Sequence, residues 1–252
     1  MKNKFLTFFN SFFLIFLFSF LVFILMFVIV INNHPSIVLL SFDVEEINTP
    51  SEINMLLKTL QTNNISATFF VQGRYAEKYP ESVLKIYSSG HEIACHTYSH
   101  PDLTKLSFEE QQLDILKCND LMNSLNISVK EFRAPYNRLN KDTFKILSEN
   151  YAYDASIIKD FSLFYPTPTL TEIKVSSFLF VPLEDVIFLY YLKIPSKIYY
   201  FILTHLSGTN SYLFHPQHVT QTNSLKYFDK FLNDSLNKNT VFLTHEQYAG
   251  LN

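Results

Sequence analysis

The sequence is poor in cysteine and carries no surplus of positive charge. Its 252 residues include two cysteines and have a formal net charge of −3 at pH 7. Two cysteines are too few for a disulfide framework. Cys95 and Cys118 could pair outside the cell, but because Cys95 lies in an apolar run we expect a buried free thiol. A chain of this charge gives no indication of nucleic-acid or anionic-lipid binding.

The N-terminal segment contains a long apolar stretch. Residues 12–31 are all apolar except Ser19, and a helix of this length spans roughly 30 Å, the thickness of the hydrocarbon core of a bilayer. Lysines precede the stretch, and no lysine or arginine follows it until Lys58. This asymmetry predicts a single-pass signal anchor, with residues 1–11 cytoplasmic and the rest of the chain extracytoplasmic. A cleaved signal peptide is the alternative.

After this segment, short apolar strands alternate with helical patterns. Strands are predicted at 36–42, 65–71, 91–95, 129–132 and 151–157, and helices at 49–62, 75–87, 107–125 and 141–150. Such alternation predicts parallel strands joined by crossover helices, in one α/β domain over residues 36–250. Residues 183–206 are apolar but interrupted by Pro195 and lysines, so we expect a buried strand or loop followed by a helix rather than a membrane span.

Two histidines follow the third predicted strand. His96 and His100 are four residues apart, and on one helical turn such residues point the same way. Two neutral imidazoles so placed could hold a divalent metal such as zinc. The alternative is a surface turn with two solvated rings, and the spacing alone does not separate the two.

Ionisable residues follow other predicted strands as well. Carboxylates in the segment 43–46 stand where α/β barrels collect catalytic residues, although an acidic loop capping the next helix is the alternative. Arg133 could fix a nearby carboxylate or lie in an ordinary turn before a proline. Asp154 could belong to a site, but it could equally well be a helix cap or a turn residue. His215 is a candidate general acid, or a packed or surface histidine.

These motifs occur in an order that resembles a known family. The segments SFDVEE, ATFFVQGRYAEKYP, GHEIACHTYSH, FRAPY, YDASI and YLFHP resemble the polysaccharide deacetylase (NodB-homology) family of metal-dependent amidohydrolases. The resemblance covers roughly residues 36–250, and the first and last motifs resemble a subgroup found with exopolysaccharide biosynthesis. It implies a distorted (β/α) barrel of about seven parallel strands.

The resemblance also implies a metal site. Glu45, His96 and His100 would be the ligands of a divalent metal, with zinc expected. Because Glu46 is adjacent, the sequence leaves open which of the two glutamates is the third ligand.

The remaining roles concern proton transfer. By resemblance, Asp43 would be the general base, held by Arg133, and the backbone N–H of Tyr136 would help to bind the oxyanion. His215 would be the general acid, oriented by Asp154.

Two departures from the family pattern stand out in the sequence. His245 is a rival to His215 as the general acid, and the chain has no tryptophan, which the substrate groove of the family usually carries. The expected activity is removal of N-acetyl groups from an exported or cell-surface polysaccharide. The alternatives are hydrolysis of a small amide, as in allantoinase-like members, and a degenerate glycan-binding protein.

Overall fold

The computed structural model of the chain describes residues 36–158, 170–178 and 181–251. The predicted signal anchor at 12–31 and the predicted cytoplasmic segment at 1–11 lie outside the described residues. In the part of the chain that is described, no helix has both the length and the apolar character needed to cross a membrane.

Eight parallel strands of the described chain form one sheet. The strands of the described residues are β1 (Ile37–Val44), β2 (Thr68–Val71), β3 (Glu92–Cys95), β4 (Glu131–Phe132), β5 (Tyr153–Asp154), β6 (Thr171–Glu172), β7 (Ser177–Phe178), β8 (Val181–Pro182), β9 (Thr209–Phe214) and β10 (Val241–Leu243). The order in the sheet is β10-β1-β2-β3-β4-β5-β6, with β9 also paired to β1, while β7 and β8 form a separate antiparallel pair. The parallel α/β architecture is therefore confirmed, with eight strands where about seven were expected.

The sheet curls around a small interior. Leu39, Phe70, Ala94 and Ala155 form one buried cluster, although they belong to four different strands or strand ends. On the far side, the chain after β6 approaches β9, where the backbone N–H of Ser176 donates to the carbonyl of Ser211 at 2.9 Å. The result is a distorted and incompletely closed barrel.

Helices cover the outside of the sheet. They are α1 (Pro50–Thr62), α2 (Gly73–Lys78), α3 (Pro80–Ser88), α4 (Phe108–Ser124), α5 (Lys141–Asn150), α6 (Ser196–Thr204), α7 (Pro216–Val219), α8 (Thr222–Leu236) and α9 (His245–Ala249), with a π-helical segment at Val186–Tyr191. Capping boxes begin α1 at Thr49 and α4 at Ser107,. The single helix predicted at 75–87 is wrong, because Pro80 lacks an N–H and begins a new helix,.

The segment 183–206 also differs from its prediction. The predicted helix in its second half is confirmed as α6, which begins directly after Pro195. Its first half contains the π-helical segment Val186–Tyr191 instead of a strand or an extended loop. Tyr190 and Tyr191 at the end of this segment are exposed.

The expectation of free thiols is wrong. Cys95 at the end of β3 and Cys118 in α4 form a disulfide, with their Cα atoms 6.1 Å apart. Both residues are buried. An apolar neighbourhood indicates burial, but it does not distinguish a thiol from a disulfide, because the deciding factor is the distance to the other cysteine. The bond ties α4 to the sheet next to His96.

Candidate active site

The register of the strands places the motif residues side by side. Phe42 of β1 pairs with Phe214 of β9, so that Asp43 and His215 are the next residues on adjacent strands. Cys95 pairs with Phe132 in the same way, which brings His96 next to Arg133. Parallel strands end at the same edge of the sheet, and this carboxyl edge is where α/β barrels carry their active sites.

Glu45, His96 and His100 form a group that could hold a metal ion. One ligand atom from each lies within 4.8 Å of the others, and His100 Nε2 is 3.4 Å from Glu45 Oε1. His96 Nδ1 donates to the carbonyl of Arg133 at 2.8 Å, which leaves Nε2 as the available ligand atom. Burial lowers the pKa of His96 to about 4, so its ring is neutral, as metal ligation requires.

The histidine pair does not lie on a helical turn. Residues 96–100 form an irregular loop in which Thr97 and His100 have left-handed φ angles of 58° and 62°. The loop is fixed by its own hydrogen bonds, since the backbone N–H of His100 donates to Thr97 Oγ1 at 3.0 Å. The expected convergence of the two rings is therefore present, with a ring-centre distance of 4.9 Å, but the backbone that produces it is different.

The two neighbouring glutamates have different surroundings. The backbone N–H of Glu45 donates to Asn48 Oδ1 at 2.8 Å, and its half-buried side chain faces the histidines. The side chain of Glu46 is exposed and lies 3.8 Å from Arg74. The geometry therefore favours Glu45 as the carboxylate of the metal group.

Asp43 is buried against Arg133. Arg133 Nη1 donates to Asp43 Oδ1 at 2.7 Å, while its Nε donates to the carbonyl of Ala155 at 2.9 Å. Burial acts to raise the pKa of Asp43, but Arg133 and the nearby histidines outweigh it and hold the pKa below its ordinary value. Asp43 is thus a fixed carboxylate, and its Oδ2 lies 3.7 Å from His96 Nε2.

The carboxylate that contacts His215 belongs to Asp185. His215 Nδ1 donates to Asp185 Oδ1 at 2.8 Å, and His215 Nε2 lies 3.8 Å from Glu45 Oε1. Burial acts to lower the pKa of His215, but Asp185, with Asp43 and Glu45, outweighs it and raises the pKa to about 9. The sequence interpretation missed Asp185. Its one signal was an acidic pair (Glu184 and Asp185) ahead of an aromatic run.

The expectation that Asp154 orients His215 is wrong. Asp154 ends β5. In the order of the sheet, β5 is separated from β9 by four strands, which are β4, β3, β2 and β1. Its Oδ1 accepts from Ser156 Oγ at 2.6 Å, and Ser156 Oγ in turn accepts from the backbone N–H of Ala134 at 2.7 Å. Asp154 therefore supports the loop that carries Arg133.

His245 lies away from this group. It begins α9, and its backbone N–H donates to Thr68 Oγ1 at the start of β2, at 3.0 Å. Its Nδ1 is 2.8 Å from Glu131 Oε1, and both side chains are fully buried. His245 thus belongs to the interior at the amino edge of the sheet, which leaves His215 as the candidate general acid.

Tyr136 borders the metal group. Its φ of 59° is left-handed, and its exposed ring lies 4.9 Å from that of His100. The residue stands in the 3₁₀ turn Pro135–Asn137, which begins two residues after Arg133. Its predicted contribution through the backbone N–H stays a prediction.

Comparisons with known proteins agree with this arrangement. A family model described as polysaccharide deacetylase matches residues 31–153. The peptidoglycan-N-acetylglucosamine deacetylase of Bacillus cereus is 38% identical over 95 residues, which are 37% of this chain and 34% of that protein. The chain spans less than half the length of the first curated relatives that it matches.

Solved structures share the fold. The peptidoglycan deacetylase PdaC of Bacillus subtilis superposes with a TM-score of 0.65 at 19% identity, over 88% of this chain and 93% of that one. A CE4 family pseudoenzyme of Bacillus anthracis gives a TM-score of 0.63 at 16% identity, over 85% and 66% of the two chains. Similarity at this level concerns the fold alone, so activity has to be argued from the site. The family model and the curated relatives therefore place residues 31–153, a little under half of the chain, in the polysaccharide deacetylase family.

Proposed function

We propose that this chain is a metal-dependent hydrolase that removes N-acetyl groups from an exported or cell-surface polysaccharide. The observation that carries the proposal is the convergence of three groups at one edge of the sheet. They are the possible ligand set of Glu45, His96 and His100, the Asp43–Arg133 pair and the His215–Asp185 pair.

The ligand set fits a divalent metal. Two imidazoles and one carboxylate are the donors that zinc accepts in catalytic sites, where a position stays open for water or substrate. The neutral His96, with Nε2 facing the site, supports ligation by that atom. A zinc ion held by these residues would polarise the acetamide carbonyl and make water more acidic.

The side chains around the ligands suit the two proton transfers of amide hydrolysis. Asp43, ionised and fixed by Arg133, accepts a proton from the attacking water as general base. The backbone N–H of Tyr136 donates to the developing oxyanion. His215, held protonated by Asp185, gives its proton to the departing amine, and the products are a free amino sugar and acetate.

The proposal includes the position of the enzyme in the cell. Residues 12–31 would anchor the chain in a membrane, and the domain that carries the site would face outward. The disulfide between Cys95 and Cys118 supports this orientation, because disulfides persist in oxidising compartments. Protease added to intact cells stripped of their wall should digest the domain if the orientation is right, and should spare it if the domain is cytoplasmic.

Acetate release tests the activity. Full-length protein in detergent should release acetate from N-acetylglucosamine oligomers or from peptidoglycan, lose this activity on chelation, and regain it with zinc. Asp43→Asn and His96→Ala should each abolish release. Full activity in either variant would contradict the mechanism, and release from a small cyclic amide but from no glycan would favour the small-amide alternative. A chain that retains no stoichiometric metal and hydrolyses nothing would be a degenerate binding protein.

A further inference from the structure

Two tyrosines beside the site have exposed rings. Tyr190 and Tyr191 end the π-helical segment that begins just after Asp185, and they are 62% and 71% exposed. Their rings meet edge to face at 5.2 Å. Contiguous exposed apolar groups often mark an interaction site, and the described residues of the protein leave this pair uncovered.

A histidine connects this pair to the site. His218 in α7 has its ring 6.0 Å from that of Tyr190 and 5.9 Å from that of His215. The rings of His215, His218 and Tyr190 therefore form a continuous row. The row starts at the residue proposed to protonate the leaving amine.

A cavity of about 570 Å³ opens beside this row. Its lining includes Tyr190 and Tyr191 together with the polar residues Lys193, His218 and Gln221. The volume is in the range of sites that bind small molecules or parts of larger ones. Aromatic faces with a few polar groups at their rim match a pyranose ring, which has apolar C–H faces and a polar edge.

We propose that this cavity is a subsite that binds a second sugar of the glycan, next to the sugar that is deacetylated. The proposal rests on the proposed function, because the row of rings that leads to the cavity starts at His215, the residue proposed to protonate the departing amine. The ring of Tyr190 stacks on the sugar face, and Lys193 and Gln221 contact its hydroxyl or acetamido groups. The proposed subsite also explains how a chain without tryptophan provides an aromatic surface for its substrate.

The test compares N-acetylglucosamine oligomers of increasing length, from the dimer to the hexamer. Full-length wild type and the double variant Tyr190→Ala/Tyr191→Ala are assayed for kcat/KM and, separately, for oligomer affinity by calorimetry. Tyr87→Ala, at a half-exposed tyrosine on α3, is the matched control.

We expect kcat/KM of the wild type to rise with oligomer length and that of the double variant to rise much less. The loss on the longest oligomers should be about tenfold, which is the scale of one aromatic contact. Thermal unfolding should be unchanged, because both rings are exposed. The subsite would be overturned if kcat/KM and affinity each depended on oligomer length in the same way in the double variant and in the wild type. If no oligomer is hydrolysed but the double variant still loses affinity, the proposed activity fails and the subsite stands.

Discussion

His215 and Asp185 lie 30 positions apart in the sequence and are joined by two hydrogen bonds. The ring Nδ1 of His215 donates to Oδ1 of Asp185 at 2.8 Å, and its backbone N–H donates to Oδ2 at 2.7 Å. The double contact fixes both the position of the ring and its protonation at Nδ1. It therefore directs Nε2 toward Glu45 and the metal group.

Replacing Asp185 should change the pH dependence of the reaction. A general acid works only while it is protonated, and the pKa of His215 is raised to about 9. Activity should therefore fall as pH rises through this value. Asp185→Asn removes the main charge that raises the pKa, so the alkaline limb of the pH profile of kcat should move to lower pH. We also expect kcat to fall by about 10²–10⁴-fold, the usual contribution of general acid–base catalysis.

Asp154→Asn is the matched comparison for this variant. Asp154 contacts Ser156 and does not contact His215, so the alkaline limb should stay in place even if overall activity falls. A shift of the limb in Asp154→Asn, with none in Asp185→Asn, would restore the assignment that the sequence resemblance implied.

The two adjacent glutamates should differ in their effect on metal binding. Glu45→Gln removes the carboxylate that faces His100, and we expect zinc affinity to fall by at least the ~10–100-fold that loss of a supporting residue costs. Glu46→Gln should leave zinc affinity near the wild-type value, because Glu46 is exposed and faces Arg74. Competition with a chromogenic chelator measures both affinities, and a reversed order would make Glu46 the ligand.

The sequence predicted those site residues whose position is set by the end of a strand. Asp43 lies near the end of β1, His96 and Arg133 directly follow β3 and β4, and parallel pairing alone brings such residues to one edge,. The contact of Asp185 with His215 was not predictable in this way, because the π-helical segment after Asp185 has no strand or helix periodicity to read,. The Cys95–Cys118 bond depends on how α4 packs on β3, and local sequence does not determine that packing.

The buried pair of Glu131 and His245 should make stability depend on pH. Burial raises the pKa of Glu131 to about 8, while burial and Arg133 lower that of His245 to about 3. Near neutral pH, a protonated Glu131 therefore donates to Nδ1 of a neutral His245. The unfolded chain loses the Glu131 proton near its ordinary pKa of 4.5 but keeps a proton on His245 up to about 6.5. The two contributions therefore cancel between pH 4.5 and 6.5, and the pair should lower the stability of the wild type as pH rises from about 6.5 to 8,.

Glu131→Gln should remove the part of this dependence that Glu131 contributes. A glutamine amide donates to His245 as the protonated carboxyl does, and it does not titrate. The free energy of unfolding of the variant should match the wild type near pH 4.5 and exceed it above pH 8 by on the order of a few kcal/mol. Denaturant titrations at a series of pH values measure this, with Glu149→Gln on the exposed side of α5 as the control. A wild type that gains stability with rising pH relative to Glu131→Gln would show that Glu131 is ionised in the folded protein.

Removing the disulfide should destabilise the domain without dismantling the site. The bond between Cys95 and Cys118 spans 23 positions, and closing a loop of this size restricts the unfolded chain enough to contribute about 3 kcal/mol. Cys118→Ala should therefore lower the free energy of unfolding by about this amount, as measured by urea denaturation. Reducing agent should produce a similar loss in the wild type and no further loss in the variant. Two titratable thiols in the unreduced, denatured wild type would show that the bond does not form.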